Sequence, residues 1–357
     1  MSTEQPDAMR IALVGPVAQS IPPKLSGSVE TVTAMLADGL IDRGHAVTLF
    51  ATGTSRTRAS LEVVFREGYH QDTDLWPWEL CELFNLAAAI ERATSFDIIH
   101  YQAEYQPLSL PFTRLCRVPL LQTLHHAPSA AEVALWSRYA DAPFIAISET
   151  QASLFGDLNV AGIVHHAVDP QLFTPGSDRE DVLLFLGRFV EGKGVLEAIE
   201  VARRSDRTLL LAAAENDYYH EVVAPQVDGE QIRYVGETDQ ATKIGLLQRA
   251  AALVYPVQRA EPFGLVLAEA MMCGTPVVAL DRGAVAELIE PECGALCDSV
   301  SQMADALATV TALDRASIRR RALERFGPDR MVREHEAVYQ QVIETAAATL
   351  PAASPAS

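Results

Sequence analysis

The sequence predicts an α/β protein built from two tandem doubly wound domains, each a parallel sheet with helices on both faces. Three observations lead there. Short continuous apolar runs alternate with longer helical stretches. The alternation breaks once near the middle of the chain and then restarts. A length of 357 residues, at roughly 150 per domain, has room for two such units.

The first unit opens with Arg10–Gly15 (RIALVG) as a buried strand, Ser28–Gly44 as a helix closed by its glycine, and Ala46–Ala51 as a second strand. Phe96–Tyr101, Val118–Leu124 and Pro143–Ile147 continue the strand series, with helical stretches between them. His165–Ser177 carries two prolines and a glycine and is read as the domain linker. Beyond it, Val182–Gly187, Thr208–Ala213, Gln231–Val235, Leu253–Pro256 and Thr275–Ala279 form the second set of strands. The division expected is a flexible N-terminus (1–8), a first domain (9–166), a second (167–327), a C-terminal helix (328–347) returning to the first domain, and a disordered Ala/Pro/Ser tail (348–357). Two facing sheets of this kind would leave a cleft at the carboxyl ends of their strands, where open α/β sheets bind ligands.

Composition narrows the partners. With 28 basic and 47 acidic side chains the net charge is −19, which repels nucleic-acid phosphates and anionic lipid over most of the surface. A phosphate-bearing substrate would therefore need a local pocket of cations and backbone N–H groups. The five cysteines (Cys81, Cys116, Cys273, Cys293, Cys297) are scattered, and no second pair joins Cys293 and Cys297 to make a zinc site. Asp72-Thr73-Asp74 imitates a metal-binding pair but sits in a polar stretch and is read as a solvated loop. No metal and no resident cofactor are expected. The N-terminal residues lack a signal-peptide core, and no apolar run approaches the roughly 18 residues of a membrane span. A cytoplasmic location is expected, with peripheral membrane attachment left open.

The sharpest chemical signal is Glu261-Pro262-Phe263-Gly264-Leu265, which opens a helix that contains Glu269 and ends at Gly274. Around Glu269 the positions three and four away are Leu265, Val266, Met272 and Cys273, all apolar. Such a helix is buried, so the Glu269 carboxylate needs hydroxyls or a positive charge beside it. Glu261 precedes the helix N-terminus, where outward N–H groups favour anions. The second signal is Gly187-Arg188 through Lys193-Gly194, following a strand. Its glycines allow close backbone approach, while Arg188 and Lys193 can neutralise a diphosphate. Gly194 stands where a nucleotide-triphosphatase loop needs a Ser or Thr hydroxyl, so that likeness is weak. In the first half, Gly27 lies in a loop that could offer N–H groups to an anion, or could equally be a helix cap made by Ser26 or Ser28. His125 follows a strand at its carboxyl end, a place where a histidine is by itself more often structural. For an acceptor, the candidate loops are Gly53–Ser60 and Gly68–Trp78, with Trp76 and Trp78 able to stack on a ring.

Taken together these residues resemble glycosyltransferase family 4, the retaining enzymes of the two-Rossmann GT-B fold, over nearly the whole chain from Met9 to about Ile343. The carriers are Glu261 and Glu269 in a Glu-x7-Glu element followed by Gly274-Thr275-Pro276, the Gly187-Arg188…Lys193-Gly194 segment, Ala167-Val168-Asp169…Phe173, and Gly27-Ser28-Val29-Glu30. The resemblance implies that Arg188 and Lys193 hold the donor diphosphate, with Gly187 in the same loop. It implies that Glu269 binds the ribose, and that Glu261 contacts the donor sugar, assisted by the backbone of Phe263, Gly264 and Leu265. Gly27 would approach the diphosphate and His125 the donor sugar. The implied reaction moves a sugar from a nucleotide-diphosphate donor, UDP- or GDP-linked, to a hydroxyl of a small-molecule, glycan or lipid-linked acceptor. It proceeds with retention and without metal. Ala167, His166 and Ser28 depart from the family's usual residues and bear on the hinge and the N-terminal loop. A sugar-nucleotide 2-epimerase of the same fold and a non-catalytic nucleotide-sugar binder are the competing readings.

Overall fold

The structure is a computed structural model that describes residues 8–24 and 27–349. The expectations for residues 1–7, for Ser26 as a cap and for the tail from residue 350 lie outside the described residues. The chain forms two compact units: Met1–Ile147, Ala152–His165 and Met331–Ser357 in the first, Ser148–Gln151 and His166–Arg330 in the second.

In the first unit β1 (Arg10–Val14), β2 (Ala46–Ala51), β3 (Ser60–Val63), β4 (Ile98–Ala103), β5 (Leu120–Leu124), β6 (Phe144–Ala146) and β7 (Val160–Ile163) make one sheet, ordered β3-β2-β1-β4-β5-β6-β7. Every pairing is parallel. In the second, β8 (Val182–Leu186), β9 (Thr208–Ala212), β10 (Ile232–Gly236), β11 (Ala252–Tyr255), β12 (Val277–Leu280) and β13 (Gly294–Cys297) are ordered β10-β9-β8-β11-β12-β13, again all parallel. Strands β1, β8, β11 and β12 are apolar runs buried along almost their whole length, as a helix-covered parallel sheet requires. Each order reverses once, at β1/β4 and at β8/β11, and loops leaving a reversal point diverge to open a crevice.

Three strands escape the sequence reading: β3 (SLEV), β7 (VAGI) and β13 (GALC). All three are sheet edges. An edge strand is covered less completely, so it carries no continuous apolar run to detect. The fourth strand also runs to Ala103 rather than Tyr101, because His100 and Gln102 are polar yet wholly buried.

The linker reading of 165–177 needs correction, because the chain belongs to the second unit from His166 onward. Ala167, Val168 and Phe173 are buried, and Arg319 donates to the carbonyls of Pro170 (2.8 Å) and Phe173 (2.6 Å). Ser148–Gln151 belongs to that unit as well. Ser148 Oγ donates to the Pro262 carbonyl (2.7 Å), and Glu287 accepts the N–H groups of Glu149 and Thr150.

The Gly274-Thr275 turn after the second unit's buried helix is structural. Arg315, itself buried, donates to the carbonyls of Gly274, Gln248 and Ala250 and to Thr275 Oγ1. Burial lowers its pKa to about 10, and its hydrogen bonds use the donors that burial would otherwise strand.

The C-terminal helix, Pro328–Thr349, takes in Ala348 and Thr349, the first two residues of the expected tail. From Met331 it belongs to the first unit, where Val332 and Val338 press on Gly39 and Gly162 so closely that a Cβ at either glycine would lie 2.4 Å from a valine methyl. Its Glu336 binds His45 Nε2 at 2.6 Å and Arg43 Nε at 2.5 Å.

Candidate active site

At the second unit's reversal point, the loop after β8 meets the loop after β11. Gly194 has φ +74°, and a Cβ there would fall 1.9 Å from the Pro256 carbonyl oxygen, so only glycine lets these loops pack. The Gly192 carbonyl accepts the Gln258 N–H at 3.0 Å. This approach carries Lys193 to Glu261: Nζ lies 2.5 Å from Oε2. The buried Tyr255 at the end of β11 donates its hydroxyl to the same oxygen at 2.7 Å. Burial, then the Glu261 charge, hold the Tyr255 pKa far above its ordinary value, so it stays a donor. Glu261 is anchored through its backbone, which bridges to Gly283 and accepts the Ala284 N–H at 2.9 Å.

Gly264 caps the helix Leu265–Met272 in the left-handed region (φ 91°) with no side-chain cap. A Cβ on Gly264 would lie 3.4 Å from Glu261 Cγ, and the first N–H groups of that helix take no side-chain cap, a setting suited to an anion. Phe263 is a core ring, edge-on to His166 at 5.1 Å and to Phe326 at 6.2 Å. What it can offer a ligand is backbone. Arg188 is exposed at the end of β8 beside Gly187, and its guanidinium makes no ion pair among the described residues.

Glu269 is 7% exposed, and its partner is Lys243, with Nζ 2.7 Å from Oε1. Burial raises the Glu269 pKa, and Lys243 opposes that rise. Lys243 also sits 5.0 Å from the centre of the Phe173 ring. Gly187, Arg188, Lys193, Glu261, Phe263, Gly264, Leu265 and Glu269 all lie in the second unit, where ion pairs join Lys193 to Glu261 and Lys243 to Glu269.

Gly27 and His125 lie in the first unit. Gly27 caps the helix Ser28–Asp42, with Ser28 as its first helical residue rather than its cap. A Cβ on Gly27 would meet Glu30 Oε2 at 2.5 Å and Gln19 Nε2 at 2.6 Å. His125 follows β5, its Nε2 2.8 Å from Gln102 Oε1, and burial drives its pKa down to about 3. Of the tryptophans, Trp76 is exposed, whereas Trp78 packs on Tyr69 and Tyr105 with centroids 6.3 and 5.4 Å away. Asp72 and Asp74 share a turn in which Asp72 accepts the Asp74 N–H. Among the described residues no three His, Cys, Asp or Glu side chains converge as metal ligands, and no helix is long and apolar enough to cross a membrane.

The same unit holds buried acid. Glu82 accepts the Val17 N–H at 2.9 Å. Burial pushes its pKa up to about 8, with Glu104 adding to the rise, and burial also lifts Glu104 to about 7. A carboxyl whose folded pKa exceeds its unfolded value contributes stability that is full below about 4.5 and is lost as pH rises through the folded pKa. Glu82→Gln, which keeps the acceptor for Val17, is therefore expected to reduce the loss of melting temperature between pH 5 and pH 8. An unchanged pH dependence would show Glu82 to be already ionised in the fold.

A family model described as "Glycosyl transferases group 1" matches residues 172–327, and one described as "Glycosyltransferase Family 4" matches residues 29–172. The chain belongs to the group 1 glycosyltransferases of the family 4 type. The phosphatidyl-myo-inositol mannosyltransferase of Mycolicibacterium smegmatis is 27% identical over 364 residues, covering 89% of each chain. Among solved structures, a glycosyltransferase involved in avilamycin A biosynthesis superposes with a TM-score of 0.72 at 24% identity, covering 94% of this chain and 98% of that one. An Anabaena protein solved with UDP-glucose does so at 0.65 and 19%, covering 95% and 100%. These likenesses show the GT-B fold. In this glycosyltransferase the sequence reading missed Lys243, Tyr255 and Gln102. Only the demand of a buried Glu269 for a cation pointed toward the first. Nothing in local spacing marked the other two.

Proposed function

We propose that this glycosyltransferase takes a sugar from a UDP- or GDP-linked donor and passes it, with retention and without metal, to an acceptor hydroxyl. The observation that carries the reading is the Lys193–Glu261 contact at 2.5 Å, set beside an uncapped helix N-terminus at the β8/β11 reversal. Lys193 and Arg188 would take the diphosphate, Glu261 the sugar hydroxyls and Glu269 the ribose. Gly27 and His125 keep the assignments that the resemblance implies, to diphosphate and donor sugar. In the front-face reaction the bond from the anomeric carbon to the phosphate oxygen breaks and its electron pair leaves with the nucleotide. The acceptor oxygen bonds on the same face, and its proton passes to the departing phosphate oxygen. Preorganised cations favour the charge that develops there.

UDP and UDP-glucose are bound by the Anabaena neighbour, which supports a nucleotide-sugar donor here. For the acceptor, the Tyr69/Trp78/Tyr105 cluster supports a sugar or cyclitol ring, and the mannosyltransferase relative supports a lipid-linked one. The family matches favour transfer over epimerisation. A thermal-shift panel of UDP, GDP, ADP, dTDP and CDP in EDTA tests the donor site. One nucleotide at 100 times its dissociation constant is expected to stabilise the fold by about 2.7 kcal/mol. A panel without any response would overturn the donor-site reading.

A further inference from the structure

The arginines of the helix Arg315–Phe326 fall into two groups. Arg321 and Arg325 pair with Glu290, and Arg321 also with Glu324. Arg315, Arg319 and Arg320 instead line, together with Arg179, a recess of about 340 Å³ in the second unit. Among the described residues none of these four guanidiniums meets a carboxylate. Arg315 is bound by three carbonyls and Thr275 Oγ1, and Arg319 by the carbonyls of Pro170, Phe173 and Met272. Arg320 Nη2 donates to Ser317 Oγ at 2.8 Å. Arg179 is exposed and makes no hydrogen bond or ion pair among the described residues. The neighbouring acids are engaged elsewhere: Glu180 with Arg249, Asp178 with the Ser177 hydroxyl, and Asp314 as the helix cap. Carbonyls satisfy the N–H groups but leave the charge standing. After burial, the charge of Arg179 is what lowers the Arg315 pKa, so the two cations feel one another. In a chain of net charge −19, four such cations around one recess are a local surplus that an anion would offset.

We propose that this recess binds a phosphate-bearing ligand, with Arg179 and Arg320 taking the phosphate oxygens and Arg315 and Arg319 supplying fixed positive charge. Guanidinium forks match phosphate oxygens two at a time, and the volume falls in the small-ligand range of roughly 300–1,000 Å³. None of Arg188, Lys193, Glu261 and Glu269 lines it, so it is a site apart from the donor loops.

Titration calorimetry with inorganic pyrophosphate in EDTA tests the recess, using the full chain with Arg188→Ala and Lys193→Ala to disable the proposed diphosphate site. Saturable binding of one pyrophosphate per chain is expected. Arg179→Gln and Arg320→Gln should each weaken it roughly ten-fold, the scale of one hydrogen bond between charged groups. Both side chains are exposed, so the fold should survive their loss. Arg321→Gln, on the same helix but paired with Glu290, should leave the affinity unchanged. Absence of saturable binding would overturn the proposal, as would equal weakening by Arg321→Gln, which would reduce the effect to the diffuse charge of the helix. Sedimentation with phosphatidylcholine vesicles containing phosphatidic acid separates the two sources of phosphate. Vesicle binding that Arg179→Gln abolishes assigns the site to a lipid headgroup; no vesicle binding assigns it to a soluble ligand. If the donor-loop variant does not fold, the parent chain serves instead. There Arg179→Gln with Arg320→Gln should weaken pyrophosphate binding and leave the nucleotide response of the thermal-shift panel intact. Loss of both together would make the recess part of the donor site and overturn the proposal.

Discussion

Lys193→Ala is expected to lower transfer about a hundredfold, about 2.7 kcal/mol in the barrier, the scale of removing one preorganised charge from a developing anion. The geometry explains why the loss should appear in kcat. Lys193 rests on Glu261 at 2.5 Å, and under the proposed function the leaving diphosphate becomes its second partner. Its ammonium then meets more negative charge in the transition state than in the ground state, and only such an increase accelerates a reaction. Lys193→Arg keeps the charge but brings a planar fork to a place shaped for a point charge, and should recover only part of the rate. The side chain is partly exposed at 26%, so folding should survive the change. Initial rates at saturating donor, with a melting curve for each variant, decide the matter. A folded Lys193→Ala protein with unchanged kcat would remove Lys193 from the donor site.

Lys243→Met should destabilise the second unit by about 3–5 kcal/mol at pH 8, because it leaves the Glu269 carboxylate buried without its cation. Glu269→Gln removes the buried charge itself and should cost less, and the double variant should be more stable than Lys243→Met alone. The pH dependence has a definite sign. Burial already raises the Glu269 pKa, and loss of Lys243 raises it further. The contribution of that carboxyl is therefore full below its unfolded pKa and falls as pH rises. Urea unfolding at pH 5 and pH 8 should show the larger deficit at pH 8. Equal stability of Lys243→Met and the parent at pH 8 would mean that this ion pair holds nothing together. Glu269→Ala should also cut transfer by roughly ten-fold if the carboxylate binds ribose.

Much of this was written locally in the chain. The apolar runs at β1, β2, β8 and β9 announce parallel strands because a strand covered on both faces must be apolar along its whole length. The apolar surroundings of Glu269 announce its burial because the helix period is local. The Gly187–Gly194 loop and the turn at Gly264 are legible for the same reason, since the demands of a tight turn fall on consecutive residues. The edge strands β3, β7 and β13 were not legible, being short and only partly covered.

By itself, then, the sequence determined the α/β class, two sheets, the family, and which loops carry carboxylates and cations. The tertiary structure alone decided the pairings. Lys193 meets Glu261 across 68 positions, Lys243 meets Glu269 across 26, and His100 meets Tyr339 across 239. No periodicity encodes such distances along the chain. They follow from strand order, which sets β11 beside β8, and from the C-terminal helix, whose Tyr339 reaches His100 on β4. A buried polar atom takes the partner that the packing delivers to it, and packing is settled only when the whole sheet is assembled.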